Sequence, residues 1–101
     1  MSVTRSSGLQ AFTEHMAQRL QVDVPILRAI REFDYGGDYQ FAIVVDNLRD
    51  SIERGNILSE AMDEQPEIFD PEYRDAVRGG ESDGDLEEAF DRLAKQQAEP
   101  E

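Results

Sequence analysis

Apolar residues recur along this chain at spacings of three and four positions, the period of an amphipathic α-helix. No segment shows the strict alternation of apolar and polar residues that is typical of a strand. The apolar positions form six sets: Leu9, Phe12, Met16, Ala17 and Leu20; Ile26, Leu27, Ile30 and Phe33; Phe41, Val44, Val45, Leu48 and Ile52; Leu58, Ala61 and Met62; Tyr73 and Val77; and Leu86, Phe90 and Leu93. The pattern predicts an all-α fold, a compact irregular six-helix bundle.

Residues typical of helix ends separate these sets in the first half of the chain. Asp23 is predicted to cap the second helix, with Pro25 in its first turn, where a missing N–H is tolerated. Gly36-Gly37 is predicted to end that helix, and Asp38 to cap the third.

The second half contains a denser series of such residues. The predicted helix stops are Gly55, Pro66 and the pair Gly79-Gly80, and the predicted starts are Asn56, Asp70-Pro71 and the turn 82–85. A sequence that sets the angles between several short helices is typical of a docking surface rather than of a catalytic cleft.

Two pairs of side chains flank these predicted breaks. Phe69 and Tyr73 lie on either side of Asp70-Pro71, and we predict that both are core anchors. Arg78 and Glu81 lie on either side of the glycine pair, and a salt bridge between them would fix the turn. The alternative for the charged pair is an exposed contact with a partner.

Charge is distributed unevenly along the chain. The net charge of −13 divides into −2 for residues 1–59, with 8 acids and 6 bases, and −11 for residues 60–101, with 15 acids and 4 bases. Such a field disfavours nucleic acid and anionic membrane surfaces. It favours solubility, and it would suit a basic protein partner or weakly held divalent cations.

Few residues could carry catalysis or bind a cofactor. No cysteine is present, which excludes disulfides and thiolate metal sites, and no glycine-rich nucleotide loop occurs. His15 is the single histidine and is predicted to lie at the surface or at the core boundary, while Ser59 is predicted to complete a helix cap. The sequence therefore predicts no enzyme.

The acidic turn near the C-terminus offers a weak metal site. Glu81, Asp83 and Asp85 could hold a divalent cation such as calcium, but the spacing is not that of an EF-hand. If the glycine between the two aspartates took the sixth position of such a loop, Gly79 and Phe90 would fall at the first and twelfth positions, where neither can serve as a ligand.

One domain accounts for the whole chain. Residues 9–95 are predicted to form it, with a flexible tail at 1–8 and a frayed tail at 96–101. The longest apolar run, 41–45, is far shorter than the roughly 20 residues of a spanning helix. No signal-peptide pattern is present at the N-terminus, and the absence of cysteine is compatible with the expected cytoplasmic location.

The boundary residues of the second half resemble a known family. The matching pattern is GxxLSEAM followed by PxxFxPxYxxxVRxGExxGxL, which we call the C-terminal motif. It comprises Gly55, Leu58, Ser59, Glu60, Ala61, Met62, Pro66, Phe69, Pro71, Tyr73, Val77, Arg78, Gly80, Glu81, Gly84 and Leu86. It resembles the type II secretion system F domain of GspF and PilC. Upstream residues, including Phe12, Leu20 and the segment 24–30, fit the same family more loosely, so the resemblance covers roughly residues 9–94.

The resemblance implies the cytoplasmic domain of an inner-membrane platform protein of type II secretion or type IV pilus assembly. Such a domain would be a non-enzymatic scaffold that docks the assembly ATPase and neighbouring platform subunits, and it could pair with itself. The alternative is a free-standing soluble adaptor with the same fold, and an enzyme is the third and least favoured option. Two positions depart from the family, which tends to have glycine at Asp23 and alanine at Gly79.

Overall fold

The fold is all-α, as predicted, in a computed structural model that describes residues 7–33 and 39–98. Within these residues it comprises six helices: α1 (Ser7–Gln21), α2 (Ile26–Arg31), α3 (Tyr39–Glu53), α4 (Leu58–Asp63), α5 (Pro71–Asp83) and α6 (Leu86–Ala98). Helix α6 extends three residues beyond the predicted domain end at 95. The remainder of both predicted tails, 1–6 and 99–101, lies outside the described residues, as do Gly36-Gly37 and Asp38. The prediction that Gly36-Gly37 ends the second helix was wrong, because α2 already ends at Arg31.

The helices form a closed ring. Each helix packs against the next one along the chain, and α6 returns to pack against α1. The radius of gyration is 12.6 Å, and the dimensions are 37 × 26 × 25 Å. This closure brings the C-terminal helix against the N-terminal one.

Aromatic side chains hold the N-terminal helices together. Phe12 of α1 makes an edge contact with Phe33, the residue two positions beyond α2, with ring centroids 5.4 Å apart. Phe41 of α3 lies 5.9 Å from Phe12 and 6.1 Å from Phe33. All three rings are buried. This aromatic cluster joins three helical segments that are separate in sequence.

A second group of aromatic rings lies at the start of α5. Phe69 and Tyr73 are both buried, as predicted for core anchors, with centroids 5.3 Å apart. Tyr73 also meets the ring of Phe90 from α6 at 6.3 Å. The Tyr73 hydroxyl lies 2.7 Å from Oγ1 of Thr13 in α1. Because the Thr13 hydroxyl donates to the carbonyl of Leu9, Tyr73 is the donor in this buried contact.

Helices α1, α3 and α5 all end in the same way. After α3, the N–H of Gly55 bonds the carbonyl of Ile52 and the N–H of Asn56 bonds that of Ser51. This pair of bonds defines the Schellman motif, whose central residue has a positive φ. Gly55 has φ +109°, and Gly84 has φ +71° in the equivalent position after α5.

The equivalent position after α1 is Asp23, and its predicted role was wrong. Asp23 has φ +65°, the N–H of Asp23 bonds the carbonyl of Leu20, and the N–H of Val24 bonds that of Arg19. The aspartate thus closes α1 instead of capping α2, whose N-cap position is Pro25. Aspartate is one of the few residues other than glycine that tolerate this backbone region.

The prediction for Asn56 was also wrong. The N-cap position of α4 is Ile57, one residue later. The amide of Asn56 turns back and donates to Oγ of Ser51 at 2.9 Å. Asn56 therefore belongs to the end of α3 rather than to the start of α4.

The glycine pair does not end α5, contrary to prediction. The helix continues through Gly79 and Gly80 to Asp83 and ends at the Schellman turn centred on Gly84. Gly80 serves close packing instead, because an added Cβ would lie 2.9 Å from the Cβ of Ala89 in α6. Two adjacent helices can approach this closely only where one of them lacks a side chain.

Candidate functional site

Two residues of the C-terminal motif that are far apart in sequence meet at the start of α4. Glu81 of α5 accepts hydrogen bonds from the hydroxyl of Ser59 at 2.6 Å and from its backbone N–H at 2.9 Å. Ser59 is fully buried. The first N–H groups of a helix have no partner within it, and its positive dipole end attracts an anion. Glu81 therefore acts as the cap of a helix to which it does not belong.

The other end of α4 is also tied to α5. Asp63 bonds Arg78 at 2.8 Å and Arg74 at 3.3 Å. The predicted salt bridge between Arg78 and Glu81 was therefore wrong, since each side chain reaches a different end of α4. Arg74, Arg78 and Glu81 are spaced four and three residues apart and so share one face of α5. We call this set of contacts the α4–α5 tie.

The remaining motif residues set helix ends or fill the core. Glu60 accepts a hydrogen bond from the N–H of Ile57 at 3.2 Å, and Asp70, just before Pro71, accepts one from the N–H of Tyr73 at 2.9 Å. Leu58 is buried, and Pro66 follows the end of α4. These residues position helices.

Burial changes the chemistry of the Tyr73 hydroxyl. Desolvation raises the pKa of Tyr73 well above its ordinary value, and the nearby negative charge of Asp70 adds to this rise. The phenol therefore stays protonated and can keep donating to Thr13.

The three candidate metal ligands have separate roles in the fold. Glu81 is engaged by Ser59, Asp85 accepts from the N–H of Glu88 at 3.3 Å, and Asp83 is exposed at the last residue of α5. Within residues 7–33 and 39–98, no group of three or more acidic or histidine side chains is placed to hold a metal ion.

An open groove runs between α5 and α6. Its volume of about 280 Å³ lies just below the range of typical small-molecule sites. The residues that line it are Asp75, Ala76, Gly79, Gly80, Asp83, Asp85, Glu88, Ala89 and Arg92. Four of the lining residues are small and four are acidic, so the groove lacks the bulky apolar side chains of a typical ligand pocket.

His15 lies at the boundary of the core. Its Nε2 is 2.7 Å from the carbonyl oxygen of Ala29, and its ring meets the edge of Phe33 at 5.3 Å. Because a carbonyl oxygen only accepts, Nε2 carries the proton in this contact. His15 therefore links α1 to α2.

Sequence reasoning missed Asp63 and Thr13. Asp63 is the acceptor for both arginines of the α4–α5 tie, and Thr13 is the buried partner of Tyr73. The only available signal was spacing: Ser59 and Asp63 are four residues apart and so lie on one face of α4.

Comparison with known proteins shows the family of this chain. Residues 12–99 match the family model of the type II secretion system (T2SS) protein F. The chain belongs to this family. The type IV pilus assembly protein PilC of Pseudomonas aeruginosa is 32% identical over 84 residues, which are 82% of this chain and 22% of that protein.

Two further relatives have similar identities. The type II secretion system protein F of Xanthomonas campestris pv. campestris is 30% identical over 90 residues, 88% of this chain and 22% of that protein. The type 4 fimbrial assembly protein PilC of Pseudomonas putida is 31% identical over 84 residues, 82% of this chain and 21% of that protein. The chain thus spans about a fifth of the length of these relatives. In the described part of the chain, no helix has the length and apolar character needed to cross a membrane.

Proposed function

We propose that this chain is a non-enzymatic scaffold domain that docks protein partners at the cytoplasmic face of a secretion or pilus assembly platform. The expected partners are the assembly ATPase and neighbouring platform subunits. The observation that carries this proposal is the family match across residues 12–99. The relatives named above are described as assembly and secretion proteins.

The use of the polar motif residues supports a scaffold. Ser59, Glu81 and Arg78 would be the first candidates for chemistry in the motif, and their contacts join α4 to α5. A structure that commits these groups to helix placement keeps its outer surfaces in a fixed relative geometry. Fixed geometry reduces the entropic cost of docking.

The test is direct binding. The purified chain would be immobilised and exposed to purified assembly ATPases and platform subunits of type II secretion and type IV pilus systems, with binding followed by biolayer interferometry. We expect reversible binding to at least one of these proteins. An unrelated acidic protein of similar size and net charge controls for attraction by charge alone. A chain that is helical by circular dichroism and binds none of them would overturn the proposal.

A further inference from the structure

The two adjacent glycines of α5 have different surroundings. A Cβ at Gly80 would lie 2.9 Å from the Cβ of Ala89, so close packing explains that glycine. A Cβ at Gly79 would meet nothing within 4 Å. Glycine weakens a helix interior because it loses more backbone freedom on folding than any other residue. At Gly79 no packing contact offsets this loss.

Gly79 also lies between the two anchor points that join α5 to α4. Arg78, just before it, bonds Asp63 at 2.8 Å. Glu81, two residues after it, holds Ser59 through bonds of 2.6 and 2.9 Å. The weakest point of the helix therefore separates the part held at one end of α4 from the part held at the other.

We propose that the last turn of α5, residues 81–83, opens and closes as a unit about Gly79, with the bonds between Ser59 and Glu81 as its latch. Opening removes the acceptor from the Ser59 N–H, so the start of α4 loses its cap at the same time. It also shifts Asp83 and the turn at Gly84 that leads into α6. This motion goes beyond the docking role and requires only the chain itself.

Native-state hydrogen exchange of the full chain, followed residue by residue by NMR, tests the motion. We expect the amides of Ser59, Ser82 and Asp83 to exchange through one shared opening, faster than the amides of Val77 and Phe90. Because residue 79 itself leaves the helical conformation when the turn opens about it, Gly79→Ala favours the closed helix and should slow exchange at Ser59 and Ser82 by the same factor. That factor is roughly two- to five-fold, from the cost of glycine in a helix.

A matched substitution separates local opening from general stabilisation. Gln18→Ala also raises helix propensity, but this exposed residue lies in α1, away from the turn that opens and from the α4–α5 tie. We expect it to leave the Ser59 and Ser82 amides unchanged. Glu81→Gln weakens the latch and should speed exchange at both amides together.

Two results would overturn the proposal. One is a Gly79→Ala protein in which amide exchange slows at Ser82 but not at Ser59. The end of α5 would then fray independently of the bonds between Ser59 and Glu81. The other is exchange of Ser59 and Ser82 as slow as that of Val77 in the unmodified chain, because no separate opening would then exist.

Discussion

Helix α4 is held in place by different contacts from those at the centre of the N-terminal half. In the N-terminal half, α1, α2 and α3 meet through the aromatic cluster of Phe12, Phe33 and Phe41. In the C-terminal half, α4 and α5 are joined by hydrogen bonds and ion pairs between Ser59 and Glu81 and between Asp63 and two arginines. Apolar packing sets a spacing between helices, whereas directional bonds also fix their register.

This difference explains why the residues of the C-terminal motif are concentrated in the segment that forms α4 and α5. A six-residue helix such as α4 makes little independent helical structure in water, although four of its six residues are buried in the fold. The position of α4 must therefore be set by specific contacts at each of its ends. The longer helices α1 and α3 each contribute a full apolar stripe, and many sequences can supply such a stripe.

The largest effect should come from the aromatic cluster. Phe12→Ala removes a fully buried ring that touches two other rings, and we expect a loss of about 3–5 kcal/mol in the free energy of unfolding. Urea denaturation followed by circular dichroism measures it. Phe12→Leu keeps most of the volume and should cost less than about 1.5 kcal/mol. If Phe12→Ala lost no more stability than Phe12→Leu, the aromatic cluster would not be what joins α1, α2 and α3.

The α4–α5 tie should yield an intermediate effect. Glu81→Ala removes the acceptor of two hydrogen bonds and leaves the buried Ser59 without its partner, so we expect a loss of about 2 kcal/mol. Glu87→Ala is the matched control, because Glu87 is an exposed acid in the first turn of α6, and it should change stability by less than about 0.5 kcal/mol. Equal losses in the two variants would remove the distinction between the halves.

The bond between Thr13 and Tyr73 joins the two halves and predicts a pH dependence. Tyr73→Phe should cost about 1 kcal/mol near neutral pH, a modest loss because the Thr13 hydroxyl keeps its bond to Leu9.

Above about pH 10, where an unfolded tyrosine ionises, the unmodified chain should lose stability as pH rises. The reason is that burial raises the pKa of Tyr73 in the folded state, so the unfolded state releases its proton first. Urea midpoints from pH 8 to 11 should fall less steeply for Tyr73→Phe. Parallel curves for the two proteins would contradict the buried, protonated phenol.

Much of the fold was predictable because the spacing of apolar residues along the sequence indicates which face of a helix is buried. The stripes of α1 and α3 could be identified from sequence because a helical face repeats every three or four residues. The starts of α5 and α6 could also be placed, since Asp70 and Asp85 cap helices through bonds to residues three positions ahead.

The errors arose where the decisive contact is distant in sequence. Gly79-Gly80 resembles a helix stop by local propensity, and only the contact of Gly80 with Ala89 shows why the helix continues. The true partners of Arg78 and Glu81 are 15 and 22 residues away, on a helix whose orientation the sequence does not state. Ser59, Arg78 and Glu81 could therefore be singled out from the sequence, but neither their contacts nor the role of Asp63 could.

The smallest expected effect concerns the turns that end α1 and α5. Both are Schellman turns, with Asp23 at φ +65° in one and Gly84 at φ +71° in the other. Asp23→Gly should stabilise the domain by about 0.5 kcal/mol, because relief of the left-handed conformation slightly exceeds the extra entropy of an unfolded glycine. Asp23→Ala keeps the conformational cost and loses the polar side chain, so it should be less stable than the unmodified chain. Thermal unfolding of the three proteins ranks them. If the glycine variant were less stable than the unmodified chain, the Asp23 carboxylate would have to make a stabilising contact of its own. The turn after α1 would then depend on a side-chain contact that the turn at Gly84 lacks.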